Sequence, residues 1–209
     1  MKKFLKIISI ILAFMFLTAG GLAFWQRQNI KALIVSTQYT NDELAEKIDE
    51  NRKAVETIVE TVVGEPVKDL TFEEEEQVRN GEITVEQAME SINASKPADA
   101  VGEQMSQMYQ LKAYYISRLG ELERQAKADY SALPKEKRNK SGQQDILSKY
   151  LSAGASLERE CDAKVEGVLS ILQAELKKQN RDLEVIKTVR KAYEDEKVLK
   201  KSYYLNTYK

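Results

Sequence analysis

The pattern of apolar and polar positions along the chain predicts an all-α protein. From residue 40 onward, apolar side chains recur at intervals of three and four, which is the spacing of one helix face. The pattern predicts one helix from Thr40 to the break at Gly64 and Pro66, and two short helices between Val67 and Ile92. Three capping boxes mark their starts: Thr40 with Glu43, Thr71 with Glu74, and Thr84 with Gln87.

Two long helices are predicted in the second half of the chain, over residues 98–132 and 143–178. The turn between them, KEKRNKSG, is short and polar, so the helices should return antiparallel as a hairpin of about 50 Å. A last helix is predicted over residues 183–207. The expected architecture is an elongated antiparallel helical bundle with coiled-coil-like long helices.

The second long helix carries a continuous apolar stripe whose period is eleven residues, which favours nearly straight packing. Its members are Ile146, Tyr150, Gly154, Leu157, Cys161, Val165, Val168, Leu172 and Leu176.

The N-terminal segment has a different character, because Ile7 to Trp25 contains no charged residue. As a helix it spans about 28 Å, close to the ~30 Å hydrocarbon core of a bilayer. Three lysines precede it, which favours a cytoplasmic N-terminus. The sequence therefore predicts a single-pass plasma-membrane protein that contacts lipid through this helix. The anchor positions are Ile7, Ile11, Phe14, Phe16, Leu22 and Trp25.

The predicted organisation has four parts. Residues 1–6 form a basic cytoplasmic N-terminus, 7–25 the transmembrane anchor or uncleaved signal-anchor, 26–39 a juxtamembrane helical connector, and 40–209 an extracytoplasmic helical domain. The alternative is a cleaved signal peptide, since small residues lie between Thr18 and Ala23, and the product would then be a secreted helical protein. The uncharged stretch continues past those cleavage sites, which favours the anchor.

The amino-acid composition limits the kinds of functional site that the chain can form. The 209 residues include no histidine and one cysteine, which excludes a histidine-based triad, an imidazole metal site, an intramolecular disulfide and a cysteine zinc cluster. The net charge of −1 argues against nucleic-acid binding. No catalytic or nucleotide-binding motif is present. We therefore expect no enzymatic activity, no catalytic residue, no cofactor and no metal.

Two features are candidates for contacts with other chains. Tyr203, Tyr204 and Tyr208 cluster near the end of the chain and form a candidate interaction surface. Cys161 lies on the apolar stripe of the second long helix, where a buried, inert thiol is the default and an interchain disulfide in a parallel dimer is the alternative. The acidic run from Glu73 to Glu76 is interpreted as a favourable first helical turn rather than a calcium site.

The leading functional hypothesis is a non-catalytic protein-interaction or spacer module, with a protein partner or a second copy of itself. In composition the chain resembles bacterial cell-envelope proteins: a short basic start, one apolar helix and a Lys/Glu-rich helical remainder. A small-molecule ligand is not the first expectation. The alternative is a ligand-binding or sensing bundle, since Gly154 and Gly167 offer space between helices. A partly polar cavity near Gly154 would favour that alternative, and a filled seam would exclude it.

Overall fold

The computed structural model describes residues 24–95 and 99–207. In these ranges the chain forms seven α-helices, a short 3₁₀ turn at Lys135–Lys137, and no strand, which confirms the all-α prediction. The helices are α1 Phe24–Gln38, α2 Asn41–Val63, α3 Phe72–Asn80, α4 Val85–Ala94, α5 Ala100–Ala132, α6 Lys140–Lys178 and α7 Glu184–Thr207.

The three predicted capping boxes all form, at the starts of α2, α3 and α4. In each one the threonine side chain accepts a backbone N–H, while the acidic or amide side chain three residues later accepts the N–H of the threonine. Gly64 and Gly81 end α2 and α3 in the left-handed conformation, with φ of 82° and 80°. These local signals place the helix boundaries of the first half of the chain.

Helices α5 and α6 form the predicted antiparallel hairpin. Tyr115 donates to Glu160 at 2.9 Å near its middle, and Tyr150 donates to Asp129 at 2.8 Å closer to the turn. As the residue numbers increase along α5, those of the partners on α6 decrease, as antiparallel packing requires. The helices contain 33 and 39 residues, which corresponds to about 50 Å and 58 Å.

Helix α7 packs against both α1 and α2. It runs antiparallel to α2, because Asn51 donates to the carbonyl of Ala192 at 2.9 Å while Asn41 donates to Thr207 at 2.8 Å. It runs parallel to α1, because Ser202 donates to the carbonyl of Ala32 at 2.9 Å and Asn206 donates to that of Tyr39 at 2.8 Å. Helix α7 therefore ties the first helices of the chain to the bundle.

Helix α3 lies close against the middle of α5. A methyl group added at Gly120 would sit 1.8 Å from the carbonyl oxygen of Arg79, so glycine is required there for the two backbones to approach. Arg124 donates to the same carbonyl at 2.8 Å. The main apolar core lies between the long helices and the layer of α3 and α4, and includes Val59, Ile92, Met105, Leu169, Leu172 and Leu176.

Across the described residues, none of the helices has the length and apolar character needed to cross a bilayer. The predicted anchor falls outside them for residues 7–23, including Ile7, Ile11, Phe14, Phe16 and Leu22. Trp25 lies in α1. That helix covers most of residues 26–39, and their role as a juxtamembrane connector stays a prediction.

Candidate functional site

A cavity of about 140 Å³ lies between α2, α5, α6 and α7, with α3 at its edge. It interrupts the apolar stripe predicted for α6. Tyr150 and Val165 are buried on that stripe, whereas Leu157 and Cys161 between them are only partly covered and line the cavity. The seam between the long helices is therefore filled at its ends and open in its middle.

Four tyrosines line the cavity: Tyr109 and Tyr115 from α5, and Tyr193 and Tyr204 from α7. Three of their hydroxyls donate to carboxylates, Tyr115 to Glu160, Tyr193 to Asp162 at 2.6 Å and Tyr204 to Glu76 at 2.5 Å. The fourth differs. Tyr109 is 4% exposed, and its hydroxyl has no hydrogen-bond partner among the described residues. A buried hydroxyl without a partner costs about 1–3 kcal/mol, so this group is available to a bound molecule.

A buried ionic cluster forms one side of the cavity. Its members are Asp69, Glu75, Lys112, Glu196 and Lys200. The Lys112 ammonium contacts Asp69, Glu75 at 2.7 Å and Glu196 at 3.4 Å. Lys200 contacts Glu75 and Glu196, both at 2.6 Å. The cluster joins α3, α5, α7 and the segment before α3, and it holds three carboxylates against two ammonium groups.

A second cluster lies further along α7. Lys197 contacts Glu158 at 2.8 Å and Asp162 at 2.7 Å. Lys201 is 1% exposed, and its ammonium contacts Glu158 at 2.9 Å and the side-chain oxygen of Asn29 at 3.2 Å. Burial lowers the pKa of Lys201 even though Glu158 opposes that shift. This cluster connects α1, α6 and α7.

Two arginines complete the charged surroundings. Arg79 contacts Glu76 at 2.8 Å and Glu123 at 2.6 Å, and Glu123 also receives Lys127 at 2.6 Å. Arg52 is held by two carboxylates of its own helix, Asp49 at 3.1 Å and Glu56 at 2.8 Å. Every cation that lines the cavity is therefore already held by at least two carboxylates.

The acidic run interpreted as a favourable first turn has a further role that the sequence did not reveal. Glu74 completes the capping box, as predicted, and Glu73 is exposed. Glu75 is 2% exposed and joins the ionic cluster, and Glu76 pairs with Arg79. Consecutive helical residues point about 100° apart, so the side chains of one acidic run reach different surroundings.

Sequence reasoning missed the whole ionic cluster. The one local signal was the spacing of Glu196 and Lys200, four residues apart on α7, which is the spacing of a helical ion pair. Nothing local distinguishes that pair from an exposed one. Lys112 carries no signal at all, because its partners lie on other segments.

Burial and neighbouring carboxylates act together on Asp69. Burial is the largest cause that raises its pKa, to about 7, while Lys112 opposes the shift and the charges of Glu196 and Glu75 add to it. The pKa of Glu196 is lowered to about 2, because Lys112 and Lys200 outweigh its own burial. Within one cluster, the pKa values of two carboxyl groups are therefore shifted in opposite directions.

We expect the protein to lose about 2 kcal/mol of stability between pH 5 and pH 8 through Asp69. Its pKa in the folded state, about 7, lies above the usual pKa of an aspartate, 3.8. Its contribution is therefore fully present below pH 3.8 and is lost as the pH rises through 7. The chain has no histidine to titrate in this window, and Glu196 changes the stability only as the pH falls below the usual pKa of a glutamate, 4.5.

Urea denaturation at several pH values, followed by circular dichroism, measures this dependence. The Asp69→Asn variant should be nearly flat between pH 5 and pH 8, because the amide keeps the shape and does not titrate. An equally steep profile in the variant would contradict the assignment.

Cys161 lies in the cavity wall, where the Tyr193 hydroxyl approaches its sulfur at 3.5 Å. Burial raises the pKa of the thiol to about 11. The interchain disulfide stays a prediction, and it would require the sulfur to leave this wall.

We expect the Cys161 thiol to react slowly with an alkylating reagent at pH 8, because the thiolate is the reactive form and is scarce there. The modification rate should rise at least tenfold in urea. Since the chain has one cysteine, intact-mass spectrometry counts the product directly. Equal rates in buffer and in urea would show that the thiol is exposed.

Tyr203 and Tyr204 pack inside the chain as well as facing outward. Tyr203 makes an edge contact with Phe72, with ring centroids 4.8 Å apart, and Tyr204 lies beside Arg79 and Glu76. Both are partly exposed, and Tyr208 lies outside the described residues. Their role as an interaction surface stays a prediction.

The two glycines proposed to leave space within the bundle differ in position. Gly154 is buried, one turn from the cavity residues Leu157 and Glu158. Gly167 is exposed, and a methyl group there would meet nothing within 4 Å. The cavity thus occurs near Gly154, and Gly167 has no part in it.

In the described part of the chain, no group of three or more acidic or cysteine side chains is arranged to hold a metal ion. Searches of protein-family models, curated protein sequences and solved structures found no match to this chain.

Proposed function

We propose that this chain is a ligand-binding helical module that holds one small molecule in the cavity between its long helices. The observation that carries the proposal is the open section of the α5–α6 seam, lined by four tyrosines and containing the unpartnered hydroxyl of Tyr109. A protein interior is normally packed as densely as an organic crystal, so a partly open, largely apolar concavity between helices is the kind of place where a small molecule binds.

The volume limits the ligand. An engineered protein cavity of about 150 Å³ holds one benzene molecule, so about 140 Å³ accommodates one six-membered ring with a short substituent. Apolar walls such as Ile116, Leu157 and Val165 suit the ring, and the tyrosine and carboxylate groups suit its polar substituent.

The spacer or protein-interaction hypothesis is the second candidate, and one observation supports it. Helix α1 turns its polar side inward, with Asn29 and Ser36 buried, and leaves Ile30, Leu33 and Ile34 at least half exposed. An outward apolar stripe of this kind is typical of a helix that meets another protein or the membrane surface. The cavity has no role in this hypothesis, so we place it second.

We also propose that residues 7–25 tether the module to the membrane, with the bundle outside the cytoplasm. The uncharged segment and the lysines before it support this proposal. The intact mass of the chain purified from membranes should correspond to a start at residue 1. A chain that begins between residues 19 and 24 would instead show signal-peptide cleavage and a secreted product.

Equilibrium dialysis of the full-length chain in a non-ionic detergent against benzyl alcohol tests ligand binding. The Cys161→Phe variant places a ring in the cavity and should reduce binding at least tenfold. Its matched control is Ala163→Phe, which adds a ring on the same helix at an exposed position. The probe partitions into detergent equally in both samples. The difference in bound probe between the two variants therefore reports binding in the cavity. Equal binding by the two would contradict the proposal.

A further inference from the structure

The cations that line the cavity are not available to an anionic ligand. Lys112 is held by three carboxylates, and Lys197, Lys200, Arg52 and Arg79 by two each. An incoming anion would have to displace a carboxylate of the chain from each of them. It would also enter a region where buried negative charge is already dense, which is unfavourable at short range.

The cavity wall itself carries five cations and three carboxylates, and the balance of charge becomes negative once the ion-pair partners of these groups are counted. Among the described residues, the three groups of ion pairs described above join seven cations to nine carboxylates. The surplus is clearest in the buried ionic cluster, where Asp69, Glu75 and Glu196 share two ammonium groups. Asp69 and Glu196 are also cavity-lining residues.

Tyr109 provides an independent observation at the same wall. Its hydroxyl is buried without a partner and lies within electrostatic reach of Asp69 and Glu196. Its pKa is raised well above the usual value, mainly by burial, so the group is a neutral hydroxyl that both donates and accepts. It is therefore able to accept a hydrogen bond from an ammonium group.

We propose that the cavity selects a small organic cation, namely a protonated amine on an apolar body about the size of one ring, with the ammonium facing Asp69, Glu196 and the Tyr109 hydroxyl. This inference rests on the proposed function, because it names the chemical class that the same cavity accepts. The ammonium supplies the positive charge that the ionic cluster lacks, and the ring packs against the apolar walls.

Three probes of similar shape test the inference: benzylamine as the cation, benzyl alcohol as the neutral analogue and benzoate as the anion. The full-length chain in non-ionic detergent is used at pH 8, where benzylamine is protonated. Binding is read from the protection of Cys161 against alkylation, with the free probe concentration set by dialysis. We expect benzylamine to bind at least tenfold more tightly than benzyl alcohol, and benzoate most weakly.

The pH dependence gives a second readout on the unmodified chain. The groups around Asp69 are Lys112 and Tyr109 on α5, Glu75 on α3, Glu196 on α7 and Glu56 on α2. Protonation of Asp69 removes the surplus charge. Binding at the two pH values is measured by equilibrium dialysis, because the Cys161 thiolate is too scarce at pH 5 for alkylation. Benzylamine affinity relative to that of benzyl alcohol should fall severalfold from pH 8 to pH 5.

The Asp69→Asn variant separates charge from shape. It should lose most of the preference for benzylamine over benzyl alcohol, and protection of Cys161 by benzyl alcohol at a raised concentration shows that the cavity is still present. If benzyl alcohol binds wild-type protein as tightly as benzylamine, or benzoate binds best, the inference is wrong and the ligand-binding function still stands. If none of the three probes protects Cys161 and Cys161→Phe changes nothing in dialysis, the function itself is wrong.

Discussion

Replacing Lys112 with methionine should destabilise the protein by about 3–5 kcal/mol at pH 8, which is the cost of removing one partner from a buried ion pair. The change leaves Asp69, Glu75 and Glu196 facing one another with Lys200 as the remaining ammonium. The free energy of unfolding in urea, followed by circular dichroism of the full-length chain, measures the effect.

The matched control is Lys191→Met. Lys191 pairs with Asp195 on the surface of α7, and its side chain is 77% exposed, so its loss should cost less than about 0.5 kcal/mol. The Lys112→Met defect should shrink at pH 5, because protonation of Asp69 relieves the repulsion. A Lys112→Met variant as stable as the control at pH 8 would show that the cluster does not hold the helices together.

The Gly120→Ala variant should lose about 1–3 kcal/mol, the usual cost of forcing extra volume into a packed interface. The added methyl group would meet the backbone carbonyl of Arg79, which cannot move aside as a flexible side chain can. Helix α3 would have to shift from α5, and the contact of Arg79 with Glu123 would stretch with it.

The same substitution at Gly167 should change the stability of the protein in the opposite direction. That glycine lies inside α6, is exposed, and has open space where the methyl group would go. Alanine there should stabilise the protein by about 0.5–1 kcal/mol, because glycine has the higher conformational entropy to lose on folding. Thermal and urea unfolding of the two variants beside wild type test the pair. Equal effects would mean that α3 does not rest on α5 at Gly120.

Local sequence signals predicted much of the fold because helix boundaries have local causes. The threonine of each capping box and its partner three residues later lie within one turn, so their hydrogen bonds depend on no other part of the chain. The short turn between α5 and α6 leaves little choice but an antiparallel return. These features are visible in any sequence read at helical spacing.

The interior of the bundle was predicted less well, and α6 shows why. Its stripe of apolar residues was correct, yet three of its members, Leu157, Cys161 and Val165, line a cavity rather than filling a seam. The stripe states which face turns inward and says nothing of how far away the opposing helices lie at each turn. In the middle of α6 the facing residues come from α5 and α7, and their tyrosines and lysines leave the space open.

The charged residues show most clearly what could not be predicted from the sequence. By itself the sequence determined an all-α chain, its helix boundaries, the long hairpin, the inward face of each long helix and an uncharged N-terminal segment. Only the tertiary structure decided that Asp69, Glu75, Lys112, Glu196 and Lys200 meet inside the bundle and border a cavity. Charged side chains occur on every helix of such a protein. Whether one is solvated or buried depends on partners on other segments, which for Lys112 are Asp69, Glu75 and Glu196, and local spacing carries no record of them.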